Sequence, residues 1–324
     1  MNSPTRSWRR PGVLALKAMV LLAGVLSGGA GQAREAADAT VLDVLIVVGS
    51  ESLAPVIELW SKDLTREFPG RTLRVQLSGS DTGPAALADG AAHLAAMSRA
   101  MNAAEINAFE ARRGFRPTPI RVAIDAVTVL VNAVNPIRGL TLAQVDAIFS
   151  SDRRCGGTRD IVSWGQVTPQ GVWLSRPMQA FGRSDLSGTR DYFRERALCG
   201  GEFKESVVSK RDSRAVVQAV GDSANAIGYA AMAFRGPGAR ALPLASTASG
   251  RFVEPNAANV LSGDYPLTRY LYLYVAKPPG QRLPIPIEQF VGLALSAQGQ
   301  KRVAQAGYIP LPSGVVSQEM AKLH

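Results

Sequence analysis

A chain of 324 residues is longer than one hydrophobic core usually serves, so two lobes are expected rather than one. It carries 36 Lys and Arg against 26 Asp and Glu, a formal charge of +10, but the cations are scattered and form no basic tract with interleaved aromatics, which argues against a nucleic-acid partner. The only histidines, His93 and His324, share no ligand spacing with the two cysteines, so neither a metal site nor another cofactor is expected.

In chain order, Arg6, Arg9 and Arg10 precede an apolar stretch over 18–26 that closes with Ser27, Gly28, Gly29, Ala30, Gly31, Gln32 and Ala33. That succession predicts a signal peptide over 1–33, cleaved near Ala33, and a periplasmic or secreted mature protein. The stretch is too short for a membrane span, and no later segment reaches roughly 20 uninterrupted apolar residues. Loss of Arg6, Arg9, Arg10 and Lys17, with no acid, lowers the formal charge from +10 to +6 and leaves a field that favours anions. In an oxidising compartment Cys155 and Cys199 are expected to form a disulfide; two buried free thiols are the alternative.

The apolar run over 41–48 predicts a strand that breaks at Gly49, Ser50, Glu51 and Ser52, and apolar residues at helical spacing follow over 53–68. The same unit recurs as a strand over 71–77, a turn from Ser78 to Gly83 and a helix over 84–89. A third strand is expected over 93–96, with Met97, Ser98 and Arg99 as its exit turn before a helix over 103–113. Strands alternating with helices imply a mostly parallel sheet covered on both faces, with polar loops converging at the carboxyl ends of the strands.

The β-rich stretch over 120–132 is suited to carry the chain between lobes, and 226–230 to carry it back. Between them lie a short helix over 141–149 and an amphipathic helix over 213–220; a strand over 271–275 and helices over 286–295 and 298–306 complete the chain. Tyr270, Tyr272 and Tyr274 alternate as aromatics packed on one face of a strand.

Arg183 to Phe193 places one cation and several small donors at a predicted helix start. A helix N-terminus has unpaired amides and a partial positive charge, so it accommodates a small oxyanion. Gly188 allows close backbone approach, and Ser187 and Thr189 supply hydroxyl donors or caps.

These pieces, in this order, resemble the periplasmic phosphate-binding proteins of ABC importers, with the type II solute-binding fold. The resemblance rests on Gly49 to Pro55, Ser78 to Gly83, Ala96 to Met101, Ile148 and Phe149 with Trp164 and Gly165, and Arg183 to Thr189, and extends over 44–313. It implies an α/β fold of two lobes with mixed sheets flanked by helices and two hinge crossings: 41–124 plus 229–324 as lobe 1, and 125–228 as lobe 2.

By position, Arg183 looks like the arginine that forks onto the oxyanion, and Ser187, Gly188 and Thr189 look like second-lobe donors. Ser80 resembles a first-lobe donor, and Glu51 and Ser52 stand where the family presents a hydroxyl and the next amide. Two positions depart from the pattern: Glu51 itself, and Ser98, where many members carry an aspartate that accepts the proton of phosphate. Glu51 either faces inward and takes over that acceptor role, or faces solvent at a helix start where an acid is favourable. Asp185 is expected either to orient Arg183 by a salt bridge or to be a solvated acid.

The resemblance implies a receptor that binds inorganic phosphate, or a similar tetrahedral oxyanion, between two lobes and presents it as a monomer to an ABC-transporter permease in the inner membrane. A phosphate-sensing, adhesion or scaffold protein with an altered site is the alternative. An enzyme is not expected: there is no Gly-x-Ser-x-Gly elbow, and His93 and His324 are poor candidates for a base.

Overall fold

The computed structural model describes residues 43–168 and 171–323; the signal peptide expected over 1–33 lies outside the described residues. Among the described residues the main sheet runs in the order β2-β1-β3-β11-β4-β8-β6-β7, with β9 also on β4. Its strands are β1 Val44–Gly49, β2 Thr72–Gln76, β3 Leu94–Met97, β4 Thr118–Asn132, β6 Gln179–Arg183, β7 Val208–Lys210, β8 Ala226–Ala231, β9 Ala239–Ala241 and β11 Thr268–Val275. Two further short strands, β5 Leu140–Thr141 and β10 Leu244–Ala245, form a separate two-stranded sheet, and Leu244 also bridges to Val253.

β4 explains how one sheet serves two halves. Its 15 residues are buried from Val122 to Asn132, and β-branched Ile120, Val122, Ile124, Val127, Val129 and Val131 favour one continuous extended strand covered on both faces. Residues 118–126 pair antiparallel with β11, while 127–131 pair antiparallel with β8. β1, β2 and β3 are parallel in the first half, and β6, β7 and β8 are parallel in the second. The sheet is therefore mixed, and the chain passes between halves along β4 and returns between β8 and β11.

Helices cover the sheet where the apolar spacing placed them. Helix Ala54–Glu67 follows a short 3-10 turn, Glu51–Leu53, and buries Val56, Ile57, Trp60 and Leu64. Trp60 packs edge-on against Phe290 of helix Ile285–Leu295 and donates Nε1–H to the Gly299 carbonyl in helix Ala297–Gln305, 3.0 Å away. In the second half the Phe193 and Tyr229 rings stack at 3.9 Å, with Phe149 edge-on to both. The Tyr270, Tyr272 and Tyr274 rings follow one another along β11 at 6.3 and 5.9 Å.

The Cys155–Cys199 disulfide joins the loop after helix Leu142–Phe149 to the end of helix Gly188–Ala197, with a sequence separation of 44. Loop-closure entropy for that length corresponds to about 4 kcal/mol of added stability. The short strands β5, β7, β9 and β10 and the helices Ala257–Leu261 and Ser313–Met320 were not expected from periodicity. Two or three strand residues are too few to show a period of two.

Candidate functional site

Turns leaving the carboxyl ends of β1, β2, β3 and β6 meet between the two halves of the sheet. After β1, Ser50 caps the 3-10 turn: its Oγ accepts from the Ser52 amide at 3.3 Å and donates to Ser98 Oγ at 3.0 Å. Ser98 follows β3 directly, and its amide donates to Ser80 Oγ at 3.1 Å. Ser50, Ser80 and Ser98 thus form one hydroxyl cluster without solvent exposure.

The second half presses onto this cluster. Ser187 caps helix Gly188–Ala197, whose first-turn amides have no partner within the helix. Gly188 lies so close that a Cβ built on it would stand 2.1 Å from Ser80 Oγ. Gly79, at φ +141°, lies equally close to the Leu186 carbonyl, which also accepts from the Asp81 amide at 3.3 Å. Ser52 Oγ and Thr189 Oγ1 are 3.0 Å apart.

Glu51 faces inward and is 8% exposed, so the solvent-facing alternative does not hold. Its Oε1 lies 2.6 Å from Arg183 Nη1 and accepts from Ser213 Oγ at 3.1 Å, while Arg183 Nη1 donates to Ser213 Oγ at 2.9 Å. Glu51 Oε2 and Arg183 Nε are buried and form no hydrogen bond. The Arg183 amide donates to the Tyr229 hydroxyl at 3.2 Å, and burial pushes that phenol far up so that it stays neutral.

Asp185 does not orient Arg183. Its side chain is 91% exposed and lies 3.2 Å from Arg190. Arg183 turns inward from the end of β6, whereas Asp185 sits on the outer side of the turn closed by the Ser187 amide on the Ser184 carbonyl.

Sequence reading missed a second buried ion pair here. Arg269 on β11 is 5% exposed, donates Nε–H to Asp125 Oδ2 at 2.8 Å, and donates from Nη2 to Thr189 Oγ1 at 3.0 Å. Its Nη1 has no partner. The signal was present: Asp125 is the only charged residue between Val122 and Asn132 of a buried strand, and an unpaired charge there would be costly. Glu51 with Arg183 and Asp125 with Arg269 cancel as formal charges. The cluster therefore carries no surplus formal cation, and its remaining positive character lies in helix starts and oriented donors.

At the rim, Arg99 joins both halves. Its Nε donates to Asp191 Oδ2 at 2.8 Å, its guanidinium forks onto Glu105 at 2.7 Å, and it also contacts Asp81. Three carboxylates share one cation, and the Asp81 carboxyl is pushed up to about 6, by burial first and by the Asp191 charge second. Asp81 therefore binds a proton more tightly in the folded protein than in the unfolded chain. Its contribution to stability is greatest at low pH and is lost as pH rises through about 6. Asp81→Asn should consequently be more stable relative to the wild type at pH 7 than at pH 4.5 in urea unfolding; an equal difference at both pH values would contradict this.

His93, at the opposite end of β3 from Ser98, accepts at Nδ1 from the Ile46 amide at 2.9 Å, and burial lowers its pKa. It is a structural acceptor held neutral. No metal-binding group of His, Cys, Asp and Glu occurs among the described residues, and no helix there is long and apolar enough to cross a membrane.

This arrangement is that of a type II periplasmic binding protein: an α/β fold with a mixed sheet, flanking helices and polar turns gathered between its halves. Residues 34–297 match the family model described as the PBP superfamily domain. The phosphate-binding protein PstS of Pseudomonas aeruginosa is 43% identical over 277 residues, 85% of either chain. The chain belongs to the PBP superfamily and, within it, to the same family as this PstS protein. Two solved structures share the fold. One, from Clostridium perfringens, is described as a phosphate ABC transporter substrate-binding protein with bound phosphate, with TM-score 0.70, 23% identity and coverage of 83% of this chain and 100% of its own. The other is an ABC-type phosphate transport receptor from Vibrio cholerae, with TM-score 0.63, 20% identity and coverage of 83% and 100%.

Proposed function

We propose that this protein binds inorganic phosphate between two lobes joined along β4 and delivers it to an ABC-transporter permease in the inner membrane. It would act in the periplasm after cleavage near Ala33, as a monomer and without chemistry. Family membership and the named relatives support this reading. The observation that carries it is the buried cluster of hydroxyls and charged groups from both halves of the sheet, in which Glu51 Oε2, Arg183 Nε and Arg269 Nη1 lack hydrogen-bond partners. Buried polar atoms without partners are costly, and a tetrahedral oxyanion with one proton offers both acceptors and a donor.

In this reading Arg183, the amides of Gly188 and Thr189, and the hydroxyls of Ser52, Ser80, Ser98, Ser187 and Thr189 donate to phosphate oxygens. Glu51 accepts the proton. Its Oε1 is anchored by Arg183 and Ser213, which leaves Oε2 for the ligand. Sulfate, with no proton at neutral pH, would set its lone pairs against that carboxylate. Calorimetric titration of dialysed mature protein should therefore show phosphate binding at least ~100-fold tighter than sulfate, with the preference shrinking in Glu51→Gln. Absence of phosphate binding would overturn the proposal in favour of a sensing or scaffold role.

A further inference from the structure

Arg269, Thr189, Ser52 and Glu51 form one hydrogen-bonded chain. Arg269 Nη2 lies 3.0 Å from Thr189 Oγ1, Thr189 Oγ1 lies 3.0 Å from Ser52 Oγ, and Ser52 Oγ lies 3.4 Å from Glu51 Oε1. A guanidinium can only donate and a carboxylate can only accept. Arg269 therefore donates to Thr189 Oγ1, and Ser52 has an acceptor on either side, in Glu51 and in Thr189; between Ser52 and Thr189 either hydroxyl can be the donor. With Ser52 as the donor, Thr189 accepts on both lone pairs, from Arg269 and from Ser52, and its own hydrogen points to neither.

We propose that Arg269 is a positioning residue: by donating to a Thr189 lone pair it turns the Thr189 hydroxyl hydrogen away from the guanidinium and makes it competent to donate to an oxyanion. Asp125 holds the guanidinium through Nε and Nη2, and Asp125 Oδ1 is itself fixed by the Met232 amide at 3.1 Å. The anchor lies in the central strands β4 and β11, whereas Thr189 belongs to the helix of the second half, so the chain also ties the donor set to the strand that both halves share. With Arg269 removed, the Thr189 hydroxyl is no longer held as an acceptor from that side, and the oxyanion must order its hydrogen on binding.

This inference rests on the phosphate reading, and wild-type phosphate binding is the control for that reading. The test is a double-mutant cycle on the phosphate Kd, measured by calorimetry, with Arg269→Met made in an Asp125→Asn background so that no buried carboxylate is left unpaired. Arg269→Met should weaken phosphate binding roughly tenfold or more when Thr189 is present, and less than about threefold in Thr189→Val. Arg269→Lys, which keeps a donor and a charge, should lose less, and its loss should also vanish in Thr189→Val; this cycle decides the matter if the methionine variant fails to fold. Equal losses with and without Thr189, or no loss in a folded Arg269 variant, would overturn the inference while leaving the phosphate reading intact.

Discussion

Replacing Arg183 with alanine is expected to weaken phosphate binding by roughly 30-fold to several thousand-fold, the range for truncating one partner of a buried, hydrogen-bonded charge pair. Arg183 is 2% exposed, is the nearest cation to Glu51, and has a free donor in Nε. Its loss removes a charge-assisted fork and leaves the Glu51 carboxylate buried against the incoming anion. Arg183→Ala combined with Glu51→Gln separates the two causes. If repulsion by Glu51 dominates, the second change recovers part of the affinity; if the lost fork dominates, it recovers little. Phosphate affinity in Arg183→Ala equal to the wild type would show that the anion does not bind at this cluster.

Gly188→Ala should be nearly as damaging to binding while sparing the fold. The Gly188 backbone is not in the positive-φ region, so alanine brings no local strain. Its Cβ would instead meet Ser80 Oγ at 2.1 Å, Ser80 Cβ at 2.6 Å and Ser98 Oγ at 2.9 Å, all from the opposite half of the sheet. Rotation of the serine hydroxyl cannot relieve the contact with Ser80 Cβ, so the halves must part. Since binding gains only from the arrangement that touches the ligand on both sides, an overpacking penalty of about 1–3 kcal/mol appears as a phosphate Kd raised on the order of 10- to 100-fold. Thermal unfolding should remain cooperative and close to wild type. A variant that binds phosphate normally would mean that the close approach of Gly188 to Ser80 is not part of the bound state.

The strand-turn-helix rhythm was legible because each unit couples an apolar run to a Gly- and Ser-rich break, as at Gly49 to Ser52 and Ser78 to Gly83. β4 was legible for the same reason, although its extent from Thr118 is longer than its apolar residues suggest because the pairing with β11 continues past them. Strands of two or three residues, such as β5 and β10, carry no such pattern and exist through their partners.

At the site, the hydroxyl- and glycine-rich turns were recognisable as converging donors, but which side chain meets which depends on the approach of distant turns. Glu51 and Arg183 are 2.6 Å apart across 132 positions of sequence, and no local rule distinguishes that pairing from one between Arg183 and nearby Asp185. Proximity in sequence favoured Asp185, and the outward side of the turn removed it. Arg269 and Asp125 escaped notice because Arg269 is the only charge in β11 and Asp125 the only one between Val122 and Asn132 of β4, where a charge reads as an exception until its partner is located. That pattern is itself informative: a lone acid in one buried strand and a lone base in another point to each other.

The most direct test is a crystal structure of the mature protein saturated with phosphate. The account predicts one tetrahedral anion enclosed by both halves of the sheet, bonded by Arg183 and by the Ser80 and Thr189 hydroxyls, with Glu51 Oε2 within hydrogen-bond distance of one oxygen. Phosphate bound on one half alone, or absent from this cluster at saturation, would contradict it.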